Sequence, residues 1–256
     1  MAASIGAKTL ANLALAEAGL DEIASRLPNP IGQPNLTAVA GAIFGMRVRD
    51  LYVGFLDSCE GRSVIAPLVL ARPLIELAIL VRWIRDDAEH RFELWRAHSA
   101  DMDTKAIRQV AEHLPRPVGD PFHIDQFSTM LAEKDAWAAK ARKEANRESQ
   151  ERVLPGLTEM IQSIEKRSKA DGYGLWQGYD LAFRSVSSAT HSDETSFRAN
   201  PIQSPDGSTQ YAERSVVERD LLRMIAASCV AHAVESVARM CDKTDLADTE
   251  IGRAHV

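Results

Sequence analysis

Aromatic residues are scarce in this sequence: Phe, Trp and Tyr together make up 6% of 256 residues. Sheets draw on aromatic and β-branched side chains, whereas this chain is rich in alanine and arginine, so helix is favoured over strand. No run of residues alternates convincingly with the period of a strand, and no segment repeats. Cysteine is also scarce. The three present, Cys59, Cys229 and Cys241, have no metal-knuckle spacing, and their odd number argues against a disulfide framework. Cys59 and Cys229 fall on apolar helical phases, as small core residues do. A reducing, cytoplasmic setting is the expectation. An excess of positive charge is missing too. The net charge of −6 excludes a protein that holds nucleic acid by bulk electrostatics, though a local basic patch is compatible with it.

Several chemical signatures are absent as well. There is no Gly-rich phosphate loop and no G-x-S-x-G elbow. A di-iron bundle needs paired Glu-x-x-His segments, and the nearest approach is one Asp87-x-x-His90. No metal and no cofactor are therefore expected. The N-terminus carries Lys8 and then acids, and reads as an amphipathic helix rather than a signal peptide. The segment "SVIAPLVLARPLIELAILVRWI", residues 63–84, is nearly long enough to cross a bilayer. It contains Arg72, Glu76 and Arg82, each costly inside lipid. It reads as a buried core helix, and no membrane partner is expected.

What remains is helical periodicity. Helices are expected over residues 4–27, 36–59, 63–86, 87–114, 125–152, 157–169, 176–191 and 213–241. On the second, Val39, Ile43, Met46 and Val53 share one side. In the third, Ser63 is a candidate N-cap, Pro67 lies in the first turn and Pro73 should kink the helix. In the fourth, Phe92, Leu94 and Trp95 should be buried. The last carries a stripe of Leu222, Ile225, Cys229, Val237 and Met240, with His232 as a core histidine. "DGYGLWQG" reads as a connector. The expected fold is an all-α, single-domain bundle of six to eight helices spanning residues 1–256. It has a mixed-charge helical segment at about 125–152 and a long loop at about 192–211. A small hairpin around Pro205–Gly207 is compatible with the turn residues there.

One stretch invites a chemical reading. "YDLAFRSVSSATHSDETSF", residues 179–197, begins as an aromatic-studded helix and runs through small polar residues to His191. Six residues separate Arg184 from His191. In an α-helix seven positions turn the chain about 700°, which puts both side chains on one face. Arg, four to six residues, then His resembles the motif of the HEPN superfamily, many of whose members are metal-independent ribonucleases. The bare spacing is not selective. From 22 arginines and 7 histidines chance gives roughly two such pairs. The chain has five: Arg85–His90, Arg91–His98, Arg108–His113, Arg116–His123 and Arg184–His191. Arg85 is followed by Asp86, as the superfamily prefers, so Arg85 with His90 stays open as an alternative. The histidines of the first two pairs lie in a charged segment and should be solvated. Prolines separate Arg116 from His123. Arg184–His191 combines an amphipathic helix, small Ser187 and Ser188, and a helix end.

A second resemblance joins two parts of the chain. "LARPLIELAILVRWI" is similar to the Arg-x-x-x-Glu core helix of a bacterial family of uncharacterised helical proteins. Members of that family continue with a Tyr-led helix ending in Ser-x-x-x-His, here Tyr179, Ser187 and His191. The expected catalytic pair is thus His191 and Arg184, with Arg72, Glu76, Tyr179, Ser187 and Ser188 supporting. Arg72 and Glu76 stand four apart in an apolar helix and are expected to be buried and paired, as a structural ion pair or as support for the site. The superfamily resemblance implies a metal-independent endoribonuclease of a toxin or phage-defence type, with RNA as partner and a homodimer as assembly. Two alternatives compete: a non-catalytic helical interaction or regulatory protein with a protein partner, and a nucleotide-binding bundle.

Overall fold

The computed structural model describes residues 14, 17–18, 20, 25–26, 33, 35–61, 66–113, 124–145, 153–183, 201–203, 209–211 and 216–243. They form an all-α bundle. Its α-helices are α1 (Leu36–Glu60), α2 (Ala66–Arg85), α3 (Ala88–His113), α4 (Ile124–Glu144), α5 (Leu157–Arg167), α6 (Lys169–Gln177) and α7 (Val216–Met240), with a π-helix, Gly178–Phe183, continuing α6. Two short strands, β1 (Pro201–Gln203) and β2 (Thr209–Tyr211), pair antiparallel with Pro201 opposite Tyr211. These strands flank Pro205–Gly207, where the turn residues suggested a hairpin. The chain divides into two compact units, one of residues 1–86 with 157–256, the other of residues 87–156.

The first unit is built on α1, α2 and α7, each packed on the other two. α1 starts at Asn35, whose side chain accepts a hydrogen bond from the Ala38 N–H at 2.8 Å, and stops at Gly61. Its buried face is small and aromatic: Ala38, Ala40, Gly41, Ala42, Phe44, Gly45, Val48, Tyr52, Phe55 and Cys59. The side shared by Val39, Ile43, Met46 and Val53 is the more open one: Val39 and Ile43 are half-buried, and Met46 is 51% and Val53 37% exposed. The physical reason is backbone approach. A Cβ on Gly41 would lie 2.7 Å from Cys241 Sγ, so α1 presents its small residues to α7 and turns its branched ones away. α2 buries twelve residues, from Pro67 to Ile84. Pro73 lies inside it without ending it, and the expected cap Ser63 is outside the described residues. α7 satisfies the length and composition of a membrane span over Asp220–Met240, yet 67% of that window is buried, so it serves as a core helix. Leu222, Cys229, Val237 and Met240 are buried as expected, with His232 beside them, while Ile225 is half-buried.

The second unit is a hairpin of α3 and α4. Ion pairs run across it in antiparallel register, Asp101 to Arg142 at 3.4 Å, Asp103 to Lys134 at 3.4 Å, and Arg108 to Asp135. Phe92 and Leu94 are buried; Trp95 is only half-buried, stacked on Phe92 with centroids 5.4 Å apart. His90 is exposed, as expected. His98 is half-buried, less open than expected, and Arg91 is buried.

All three thiols are buried and unbridged. Burial pushes the Cys229 thiol up to about 12 and the Cys241 thiol up to about 11. Thiolate is the reactive form, so a thiol reagent such as Ellman's should find no fast-reacting cysteine in the folded protein and three after denaturation. A fast thiol in the native protein would contradict this packing.

Candidate functional site

The stretch expected to be a connector, residues 171–178, is helical. Ser168 caps α6, its hydroxyl accepting from the Asp171 N–H at 3.5 Å. The glycines that signal a turn in the sequence serve close packing instead. A Cβ on Gly174 would lie 3.0 Å from His232 Nε2, and one on Gly178 2.7 Å from Cys229 Sγ. α6 and the π-helix thus lie against α7, and the π-helix also against α2. The helix expected to start at residue 176 starts seven residues earlier and turns π-helical at Gly178.

This placement brings α6 onto a cluster of charges that the sequence reading did not assemble. Arg82 is 2% exposed. It donates from Nε to Asp171 at 2.9 Å and from its NH1 nitrogen to Asp86 at 2.6 Å, and its NH2 nitrogen lies 2.8 Å from Asp171. A buried guanidinium needs this degree of satisfaction, since an unpaired one costs several kcal/mol (roughly). Arg85, one turn on, donates to Glu235 on α7 at 3.1 Å and lies 3.7 Å from Asp171. Glu235 Oε1 also accepts from Arg239 at 2.9 Å. Arg167 donates to the Asp86 carbonyl at 2.9 Å. Burial alone would raise the pKa of Asp171, but the hydrogen bond and charge of Arg82, with His232 and Arg85, hold it below the ordinary carboxylate value. Burial and the charge of Arg82 hold the Arg85 pKa below its ordinary value, against the pull of the carboxylates.

Arg85, Glu235 and Arg239 open onto a cleft of about 390 Å³, completed by Thr37 and Met240. Thr37 belongs to the first turn of α1. The cleft therefore carries two guanidiniums, one carboxylate and a hydroxyl beside an apolar wall. In the second unit a smaller cavity of about 210 Å³ is lined by His90, Glu93, Trp137, Lys140 and neighbours. Among the described residues, no three His, Cys, Asp or Glu side chains gather as metal ligands.

The residues singled out from the sequence are distributed as follows. Tyr179 lies in the π-helix, edge-on to Trp176 with centroids 6.0 Å apart. Arg184, Ser187, Ser188 and His191 lie outside the described residues. Arg72 and Glu76 are paired at 3.1 Å, but their side chains are 27% and 39% exposed, so the expected burial does not hold. The pair sits on a half-open face of α2, where Pro73 and Glu76 are flanked by buried Leu74, Ile75 and Leu77. Half-exposed pairs contribute less than about 1 kcal/mol. Arg72→Met and Glu76→Gln should each shift the melting temperature by no more than a few degrees. A large loss in either would contradict this half-exposed setting. The buried ion pair of α2 is one helical stretch further on, at Arg82 and Asp86. Its further partner, Asp171, is 89 positions away along the chain, and Glu235 is 150 positions from Arg85. No local pattern signals either.

The chain belongs to a family of unknown function, DUF5677, which matches residues 42–208, well over half of its length. The match takes in Arg72, Glu76, Tyr179 and His191. No curated protein and no solved structure matches the chain.

Proposed function

We propose that this protein is a metal-independent, HEPN-like endoribonuclease of a toxin or phage-defence type, acting on RNA in the cytoplasm as a homodimer. The observation that supports the reading most is the setting of the helix that leads into Arg184. It is held on α2 and α7 through a π-helical stretch at Gly178–Phe183, and such stretches occur frequently at functional sites. Arg72 and Glu76 on α2 and Tyr179 in the π-helix are the proposed supporting residues. Ser187 and Ser188 are proposed as supporting residues because their side chains are small and polar.

The chemistry needs only side chains. His191 takes the proton of a ribose 2′-OH, and the 2′-oxygen attacks the adjacent phosphorus. The P–O5′ bond breaks, leaving a 2′,3′-cyclic phosphate and a 5′-hydroxyl. His191 of a second copy supplies the proton to the departing 5′-oxygen. Arg184 neutralises the charge that builds on the phosphoryl oxygens in the five-coordinate state. The test is incubation of purified protein with mixed RNAs in EDTA. Cleavage should survive the chelator and disappear in His191→Ala and in Arg184→Ala while both variants keep the wild-type melting temperature.

A second reading is favoured by one observation. Met46 and Val53 on α1 and Val69 on α2 are large apolar residues left exposed, as on a surface that meets another protein. Under that reading the chain is a non-catalytic interaction protein, and no RNA is cut under any condition.

A further inference from the structure

We infer that the cleft lined by Thr37, Arg85, Glu235, Arg239 and Met240 binds the phosphate group of a nucleotide-type phosphate ester. The reading stands apart from Arg184 and His191 and needs no cleavage.

The argument begins with the charges that face the cleft. Arg85 and Arg239 approach it from two different helices, α2 and α7, and both donate to the same oxygen of Glu235. Glu235 is shared by the two guanidiniums of the lining, so the lining residues themselves carry one net positive charge, with Asp171 3.7 Å from Arg85 behind them. Burial, and then the charge of Arg82, disfavour the Arg85 cation, while Glu235, Asp171 and Asp86 favour it. A phosphate in the cleft would add a further favourable charge. Guanidiniums present planar forks that match phosphate oxygens. Glu235 does not oppose the anion on balance, because its Oε1 is already engaged by both arginines and holds their side chains in place. Thr37 adds a hydroxyl that can donate to a third phosphate oxygen, in the first turn of α1, whose Ala38 N–H is already taken by Asn35.

The shape narrows the ligand. A cleft of about 390 Å³ is roomier than a phosphate group, whose oxygens sit within hydrogen-bond reach of donors at about 2.7–2.9 Å. Met240 supplies an apolar flank. An ester with a carbon moiety beside its phosphate suits this lining better than the bare ion. A mononucleotide and an RNA chain both carry that chemistry, and the experiment separates them.

Isothermal titration at low ionic strength should use 5′-AMP, adenosine and a single-stranded RNA 12-mer without a terminal phosphate. AMP should bind and adenosine should not. Binding of the 12-mer with the same salt dependence would place internal phosphodiesters in the cleft. Binding of AMP alone would assign it to terminal phosphates. Arg239→Gln should weaken AMP at least about tenfold, the loss of one charge-assisted contact, with an unchanged melting temperature. Arg85→Gln should weaken it similarly if that variant folds; Arg239 is half-exposed and keeps the test valid if it does not. Equal heats for AMP and adenosine, or AMP binding unaltered in Arg239→Gln, would overturn the assignment.

Discussion

Arg82→Met is expected to destabilise the first unit by about 3–5 kcal/mol, the loss typical of one partner removed from a buried ion pair. In a domain of this size that corresponds to a melting temperature lowered by roughly 6–20 °C. The effect should be large because Arg82 is buried and ties two helices together. It lies in α2, it holds Asp171 of α6, and it closes onto Asp86 at the end of its own helix. Without the guanidinium, Asp171 keeps Arg85 at 3.7 Å and Asp86 keeps Arg167 at 3.9 Å, both longer contacts than those lost. Arg82→Lys should recover only part of the loss. Its single ammonium cannot reproduce separate bonds from Nε to Asp171 and from the NH1 nitrogen to Asp86. A variant as stable as the wild type would show that the network contributes nothing to folding.

The same network sets an acid dependence. The folded pKa of Asp171 lies below its ordinary value. Its contribution is therefore complete above the unfolded pKa of about 3.9 and is lost as pH falls through the folded value. Thermal unfolding followed from pH 6 downward should show stability falling below about pH 4. Asp171→Asn should flatten part of that decline. The measurement is a melting curve at each pH, and an unchanged acid slope in Asp171→Asn would remove Asp171 from the account.

Much of the architecture is legible in the sequence because helix periodicity is a local property. The bounds of α1, α2, α3 and α7 follow from apolar spacing, and the core stripe of α7 from Leu222 to Met240 was readable for the same reason. What failed had non-local causes. The core face of α1 is hard to read because Ala38, Ala40, Gly41, Ala42 and Gly45, half of its buried residues, carry little hydrophobic signal but allow α7 to approach. α6 was missed because Gly172, Gly174 and Gly178 read as turn residues, whereas they are small to admit Glu165, His232 and Cys229. The ion pair was sought at Arg72 and Glu76 because they interrupt an apolar run. Arg82 interrupts the same run, and only tertiary contacts to Asp171 make it the buried one. The two-unit division at Asp87 and Gly156 has no Pro/Gly linker at its first boundary to announce it. As for the site, Tyr179 lies on a helix as expected, while Arg85 meets the Glu235–Arg239 pair from a place 150 positions away that shares no motif with it.

The second large effect concerns the reaction. His191→Ala is expected to lower RNA cleavage by about 10²–10⁴-fold, the contribution of a positioned general acid or base. Arg184→Ala should act on the same step, through lost charge stabilisation in the five-coordinate state, with losses of roughly 10²–10³-fold. Because the two act on one transition state, the double variant should be little worse than the poorer single one. Neither should alter the melting temperature by more than a degree or two, which separates chemistry from folding. Replacing Arg82 should instead lower activity and stability together.

The most direct measurement is product analysis of a labelled RNA incubated with the protein in EDTA, beside a matched DNA lacking the 2′-hydroxyl. The account predicts RNA fragments ending in a 2′,3′-cyclic phosphate, untouched DNA, and no product from His191→Ala. Intact RNA with the wild-type protein, or equal cleavage by His191→Ala, would contradict it.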